Sequence, residues 1–376
     1  MISLRLEPID TLFFRDSTPF AAGSASQDET GGLFPPLPTT VVGALRAALA
    51  RGQGWNGLGR WPKDMDPILG DGPEDLGALR FEGPFLLRNG EPLFQAPRHL
   101  LGSDKEGFWN PALLIRPGPG VTCDLGEGVR LPQIPPHGPN PEELDVGEGW
   151  WLTRAGLEAV LRGRLPTKEQ VVASRDLWCE ERRIGLQRDP ETRTARDGML
   201  FGTRHIRLSP GVSLGVQIQG LPNGWKPPLG QAIPLGGEGR VAECLPWEGP
   251  FNPQMPIEQI LSSGRMTIVA LSPLDLDQST LSGQTVLEEL GNARVVSACL
   301  DRPLRLGGWN SLDRCPVPLQ SFLPAGSVLF CEADDRKRLQ SSLEALGGLP
   351  HLGRRGDWGF GAVALGTWPE NLEVAS

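Results

Sequence analysis

Ile2-Ser3-Leu4-Arg5-Leu6-Glu7, then Asp10-Thr11-Leu12-Phe13-Phe14-Arg15-Asp16, then Leu33-Phe34-Pro35-Pro36-Leu37-Pro38-Thr39-Thr40-Val41-Val42-Gly43-Ala44-Leu45-Arg46 set the reading of the fold. Ile2, Leu4 and Leu6 alternate with Ser3, Arg5 and Glu7, the period of a half-buried strand. Residues 15–32 are a polar, Gly/Ser-rich loop. The prolines at 35, 36 and 38 form a rigid elbow, and Thr39 or Thr40 can cap the helix that follows. Val41, Val42, Leu45, Ala48 and Leu49 fall on one helical face, with Arg46 and Arg51 outside it. Gly43 costs a helix interior about 1 kcal/mol relative to Ala, which suggests close approach to a sheet below. Gly52 ends the helix in the left-handed conformation.

Beyond this unit the spacing predicts strands at 79–88 and 92–101 around the turn Asn89-Gly90, and loop from 102 to 149. A helix at 151–163 and a hairpin of 199–208 with 212–220 follow. The first half thus reads β-α-β-β-α-β with long insertions. A Pro-rich run, 222–256, marks a domain junction, giving domains 1–256 and 257–376. The last third repeats the order: strands 266–271, 294–300, 327–331 and 361–368, a helix around 285–290, and a helix capped by Asp334 or Asp335. The fold class is α+β, two ferredoxin-like domains with long loop insertions.

The chain has 376 residues, 49 Gly, 37 Pro and a net charge of −9. Gly and Pro are scattered without a period, as in long ordered loops rather than collagen. An acidic balance argues against a free-standing, non-specific nucleic-acid binder, which is usually basic, but leaves room for a local basic groove. Only five of the 36 basic residues are Lys, so the cations are nearly all guanidinium groups, suited to phosphate and to base stacking. The six cysteines form no C-x-x-C pair, which favours buried thiols over zinc. No motif for a cofactor or metal is present. No basic leader and no 18-residue apolar run occurs, which predicts a soluble, cytoplasmic protein.

Two stretches carry binding chemistry. Between Arg182 and Arg207 seven Arg stand against Asp189, Glu191 and Asp197, a local charge of +4. The centre, residues 187–198, has no apolar periodicity and reads as an exposed arm. Arg182, Arg183, Arg188, Arg193 and Arg196 are its candidate phosphate contacts, against the alternative of a solvated loop with local ion pairs. The second stretch is Gly347–Gly361. Gly353, Arg354, Arg355, Gly356, Gly359 and Gly361 could let the backbone approach a phosphate, though a structural turn explains the glycines equally well. A P-loop would need G-K-[ST] and is absent. His205, within Arg204-His205-Ile206-Arg207, is the one histidine near basic residues; a lone His is more often structural than a general base. No Ser/His/Asp or paired-carboxylate set is visible.

Together these motifs resemble the RAMP superfamily of CRISPR-associated proteins, in particular the third RAMP subunit of the type III-B (Cmr) effector. The pieces are Asp10–Asp16 with Pro35–Arg46; Arg183-Ile184-Gly185-Leu186 leading into Thr192–Leu200; Leu235-Gly236-Gly237-Glu238-Gly239-Arg240; Gly307-Gly308-Trp309 before Pro324–Val328; and the Gly-rich run ending at Gly361. The resemblance implies two ferredoxin-like folds, no catalytic role, and contact with the 5′ handle of the CRISPR RNA. It also implies docking on the large palm-domain subunit and on the backbone RAMP subunit. Two other classes compete: an endoribonuclease processing precursor CRISPR RNA with His205 as acid/base, and a nucleotide-binding module using the Gly-rich loop.

Overall fold

The computed structural model describes the chain except residues 16–31, 106, 125, 136–138, 277–285, 311 and 370–376. The predicted loop 15–32 therefore lies almost wholly outside the described residues, as does the start of the predicted helix at 285–290. Contacts divide the chain into two units interleaved in sequence. One holds Met1–Gly90, Arg175–Gly249 and Arg305–Gln320; the other holds Glu91–Ser174, Pro250–Leu304 and Ser321–Ser376. Among the described residues no helix is long and apolar enough to cross a membrane.

In the first unit, β1 (Ile2–Pro8) buries Leu4 and Leu6, the alternation expected. The chain continues through α1 (Pro38–Gly52), β2 (Arg80–Arg88), β3 (Trp178–Arg188), β4 (Ala195–Leu208), β5 (Val212–Gln219), β6 (Gln231–Pro234) and β7 (Val241–Pro246). Five of these strands neighbour one another in the order β2-β5-β1-β7-β6, all antiparallel. Leu214 faces Leu6 on one side and Leu86 on the other, so β5 is a central strand and is buried along nearly its whole length. The predicted pairing of 199–208 with 212–220 does not form. β4 pairs with β3 in a separate two-stranded ribbon, while β5 joins the sheet. The second helix of the predicted order, expected at 151–163, forms at Arg154–Leu161 but belongs to the other unit.

Four local expectations at α1 change. Pro38, not a threonine, opens the helix, and the cap residue Leu37 makes no side-chain bond. Proline at the first helical position needs no N–H partner and presets φ, so a hydroxyl cap is dispensable. Arg46, expected outside the apolar face, is buried. Its guanidinium donates to the carbonyls of Leu69, Gly72 and Asp75 and lies over Trp61 at 5.0 Å. Gly43 is exposed and a Cβ there would meet nothing within 4 Å, so no close approach explains it. Gly54 at φ +95°, not Gly52, makes the left-handed turn after the helix.

In the second unit, β8 (Arg265–Ala270), β9 (Ala293–Cys299), β10 (Val328–Glu332) and β11 (Val363–Gly366) lie in the order β9-β10-β8-β11. Helix α2 (Arg336–Glu344) is capped by Asp335, whose carboxylate accepts from the N–H of Arg338 at 3.0 Å. Leu339 and Leu343 pack with Ile268, Val295, Leu329 and Leu365 in one core. The helix expected at 285–290 is a short strand at Val286–Leu287 and a single 3₁₀ turn at Glu288–Leu290, closed by Gly291 at φ +67°. Residues 102–149 are strand-rich rather than loop: Leu100–Lys105 pairs with Phe108–Leu114, and Arg116–Cys123 with Gly126–Gln133. Proline and glycine within these strands weaken the period-2 signal while tolerating edge and bulge positions. The helix expected at 151–163 is shorter: Trp150–Thr153 is a strand, and Thr153 caps the helix Arg154–Leu161, which buries Leu157, Val160 and Leu161.

Candidate nucleic-acid interface

The basic stretch forms an arm of two long strands. β3 and β4 pair from Trp178–Leu208 to Leu186–Leu200, with a register shift before Arg188–Ala195. The tip is ordered by Asp189, whose carboxylate accepts from the N–H groups of Glu191 (2.9 Å) and Thr192 (3.0 Å). Such side-chain mimicry of a backbone turn is what Asp supplies at loop tips. Arg193, at φ +56°, donates its N–H to the carbonyl of Asp189. A turn built on Asp189 thus closes the exposed arm.

Strand alternation sorts the arginines. Arg182 and Arg188 share an exposed face with Ile184, which is 77% exposed, and Leu186. Arg182 is the strand partner of Arg204, which pairs with Glu180 at 3.5 Å. Arg188 and Arg193 are exposed. Arg196 lies at the start of β4. Arg183 points to the other face and is committed to carboxylates: Asp10 at 3.0 Å and Glu181 at 2.7 Å.

Asp10 is the hub of this base. It also takes Arg207 at 3.0 Å and Arg240 at 3.2 Å, while Glu181 takes Arg207 at 2.5 Å. Hydrogen bonds from Arg183 and Arg207 hold the Asp10 carboxyl well below the usual carboxylate range. The same two guanidinium groups, Arg207 first, hold Glu181 down. The backbone clamps the joint as well: Leu12 and Ile206 exchange N–H···O bonds of 2.8 Å each. Gly237 donates its N–H to the carbonyl of Phe13, and a Cβ on Gly236 would stand 2.4 Å from that oxygen. Three stretches far apart in sequence, Asp10–Phe14, β3–β4 and Leu235–Arg240, therefore meet at one place. Asp10, Arg207 and Arg240 escaped sequence reasoning as partners. The only signals were the aromatic- and Gly-rich motifs around Asp10 and Arg240 and the basic stretch that ends at Arg207.

His205 is 2% exposed. Its Nδ1 lies 3.2 Å from the Thr11 hydroxyl and its ring stacks on Phe13 at 5.0 Å. Burial, then Arg183 and Arg240, push its pKa below the ordinary value and favour the neutral ring.

The Gly-rich run lies in the second unit and is tightly folded on itself. Gly361 donates to the carbonyl of Pro273, Leu352 to that of Gly361, and Gly359 to that of Gly356. A Cβ on Gly353 would stand 2.4 Å from the carbonyl oxygen of Asp275, and on Gly361 2.1 Å from that of Leu352. Arg354, Gly353's neighbour, pairs with the buried Asp275 at 2.8 Å. Arg355 and Gly359 adopt positive φ around the 3₁₀ turn Gly356–Trp358. Close approach of protein backbone, rather than of a ligand, accounts for Gly353 and Gly361.

Residues 4–368 match the family described as CRISPR-associated protein (Cas_Cmr3). The chain belongs to this family. Among solved structures, one similar chain is from the cryo-EM structure of the Type III-B Cmr-beta bound to cognate target RNA and AMPPnP, state 1. The two share 15% identity over 92% of this chain and 89% of that one, with a TM-score of 0.52. A second is from the Type III-B Cmr-beta bound to cognate target RNA, with 15% identity, coverage of 92% and 90%, and a TM-score of 0.51. At that identity the likeness is one of fold. No curated protein matches in sequence. The Cas_Cmr3 match includes the three motifs that converge on Asp10.

Proposed function

We propose that the chain is a non-catalytic RNA-binding subunit of a type III-B CRISPR effector complex, acting in the cytoplasm in antiviral defence. It holds the 5′ handle of the CRISPR RNA and docks the large palm-domain subunit and the backbone RAMP subunit. The two sheets are read as ferredoxin-like, in domains 1–256 and 257–376 with long loop insertions.

One observation carries this reading: the β3–β4 arm has its base arginines neutralised by Asp10 and Glu181 while Arg188 and Arg193 near its tip stand exposed. Guanidinium groups on a projecting ribbon pair phosphates bidentately and stack on unpaired bases. Ile184, exposed beside them, adds an apolar surface for a base. The buried, neutral His205 supports a scaffold over a nuclease. The internal bonding of Gly353–Gly361 supports a structural loop over a nucleotide cradle.

The test is retention of CRISPR RNA by the reconstituted complex at several salt concentrations. Each phosphate contact to a single strand contributes about 0.7 to the log–log slope. Changing Arg188, Arg193 and Arg196 together to Ala should flatten that slope by roughly two units with the fold intact. An unchanged slope would reduce the arm to a solvated ribbon.

A further inference from the structure

The second unit carries an open pocket of about 590 Å³ that none of the motifs above includes. Its walls are the ribbon Arg116–Gln133, the helix Ile257–Ser263, the start of β8 and the residues after β11. Three arginines, Arg116, Arg130 and Arg265, line it together with Gln133 and Trp368. Two of them are held in place from behind. Arg265 lies over the Trp368 ring at 4.9 Å and Arg130 at 5.9 Å. Trp368 is itself fixed by donating its indole N–H to the carbonyl of Met266 at 3.0 Å.

Charge in this region is unbalanced. Glu332 accepts Arg130 at 3.4 Å and Arg265 at 3.3 Å through one oxygen, and Arg294 at 4.0 Å through the other. Strand register forces this, since Glu332 lies between Arg265 on β8 and Arg294 on β9. One carboxylate thus serves three guanidinium groups, and Arg116 adds a fourth cation with no described acidic partner. Arginines in excess of carboxylates, oriented before any ligand arrives, suit an anion of more than one charge. The volume is that of a nucleotide-sized ligand. With the Trp368 ring engaged by cations, recognition falls on the phosphate and not on a stacked base.

We propose that this pocket binds a phosphate group, either of a free nucleotide or of an RNA backbone, with Arg116, Arg130 and Arg265 as its ligands. It is separate from the β3–β4 arm and does not depend on the arm's role. Calorimetric titration of the full chain with AMP, with an RNA oligonucleotide lacking terminal phosphates, and with a Glu-rich peptide tests it. Saturable AMP binding, displaced by inorganic phosphate and weakened about tenfold or more by Arg116→Ala and by Arg265→Ala, assigns the pocket to a nucleotide. The same loss seen only with the oligonucleotide assigns it to backbone phosphate. Glu332→Gln, which releases Arg130 and Arg265, should tighten binding, and the Arg188/Arg193/Arg196 triple variant should leave AMP binding unchanged. The proposal is overturned if both Ala variants, folded by circular dichroism, bind AMP and the oligonucleotide as wild type does. It also fails if the peptide binds as tightly as whichever of AMP and the oligonucleotide binds, or if none of the three ligands binds.

Discussion

Glu82 is 8% exposed in β2, opposite Gln217 on β5, whose amide donates to the Ser3 hydroxyl instead. Burial pushes its carboxyl up to about 7 from an ordinary 4.5. The folded state thus holds a proton that the unfolded chain releases, and stability falls as pH rises through that window. Below the unfolded value ionisation adds no cost; above about 7 its cost levels off, at most on the order of 3 kcal/mol. Glu82→Gln keeps the shape and removes the charge. Its melting temperature should match the wild type near pH 4.5 and exceed it increasingly up to pH 7. A constant gap across that range would mean that Glu82 does not titrate as burial demands. At this scale the sequence misled most where a charged residue is buried. Arg46 follows Leu45 on a helix wheel as an outside residue, yet three carbonyls of the 69–75 loop hold it inside.

At the scale of elements, glycine separates into two kinds. Gly43 sits in an exposed turn of α1 with open space around its Cα. Gly361, at φ +71°, would drive a Cβ to 2.1 Å from the Leu352 oxygen. Gly43→Ala should therefore stabilise the protein by about 0.5–1 kcal/mol, through helix propensity and a less free unfolded chain. Gly361→Ala should destabilise it by about 2 kcal/mol or more, because the loop must break its bond pattern or strain. Urea denaturation of both variants decides the matter, and equal effects would undo the distinction. The helix at 336–344 was legible because apolar spacing and a capping Asp335 agree; the one at 154–161 was legible from apolar spacing, which missed its start at the Thr153 cap. The ribbons at 100–133 and 304–322 were not, since Pro and Gly interrupt the alternation within them.

For the whole molecule, the scaffold reading predicts that the purified chain leaves RNA intact with or without divalent metal. Specific cleavage abolished by His205→Ala would overturn it, since that ring is packed between Thr11 and Phe13 and offers no exposed base. Sequence alone determined the first strand, the burial stripe of α1, the basic stretch at 182–207 and the family resemblance. Each is written in residues close together, so local period, charge or motif suffices. Only the tertiary structure decided which strands are neighbours. Val212–Gln219 reads as the partner of the strand just before it, yet burial on both sides places it between β1 and β2. It alone also decided which arginines are spent in ion pairs. Arg183 and Arg188 are indistinguishable as letters, and strand alternation turns one toward Asp10 and Glu181 and leaves the other exposed. Pairing between segments far apart depends on which surfaces bury each other best, and that is a property of the assembled core rather than of any stretch of chain.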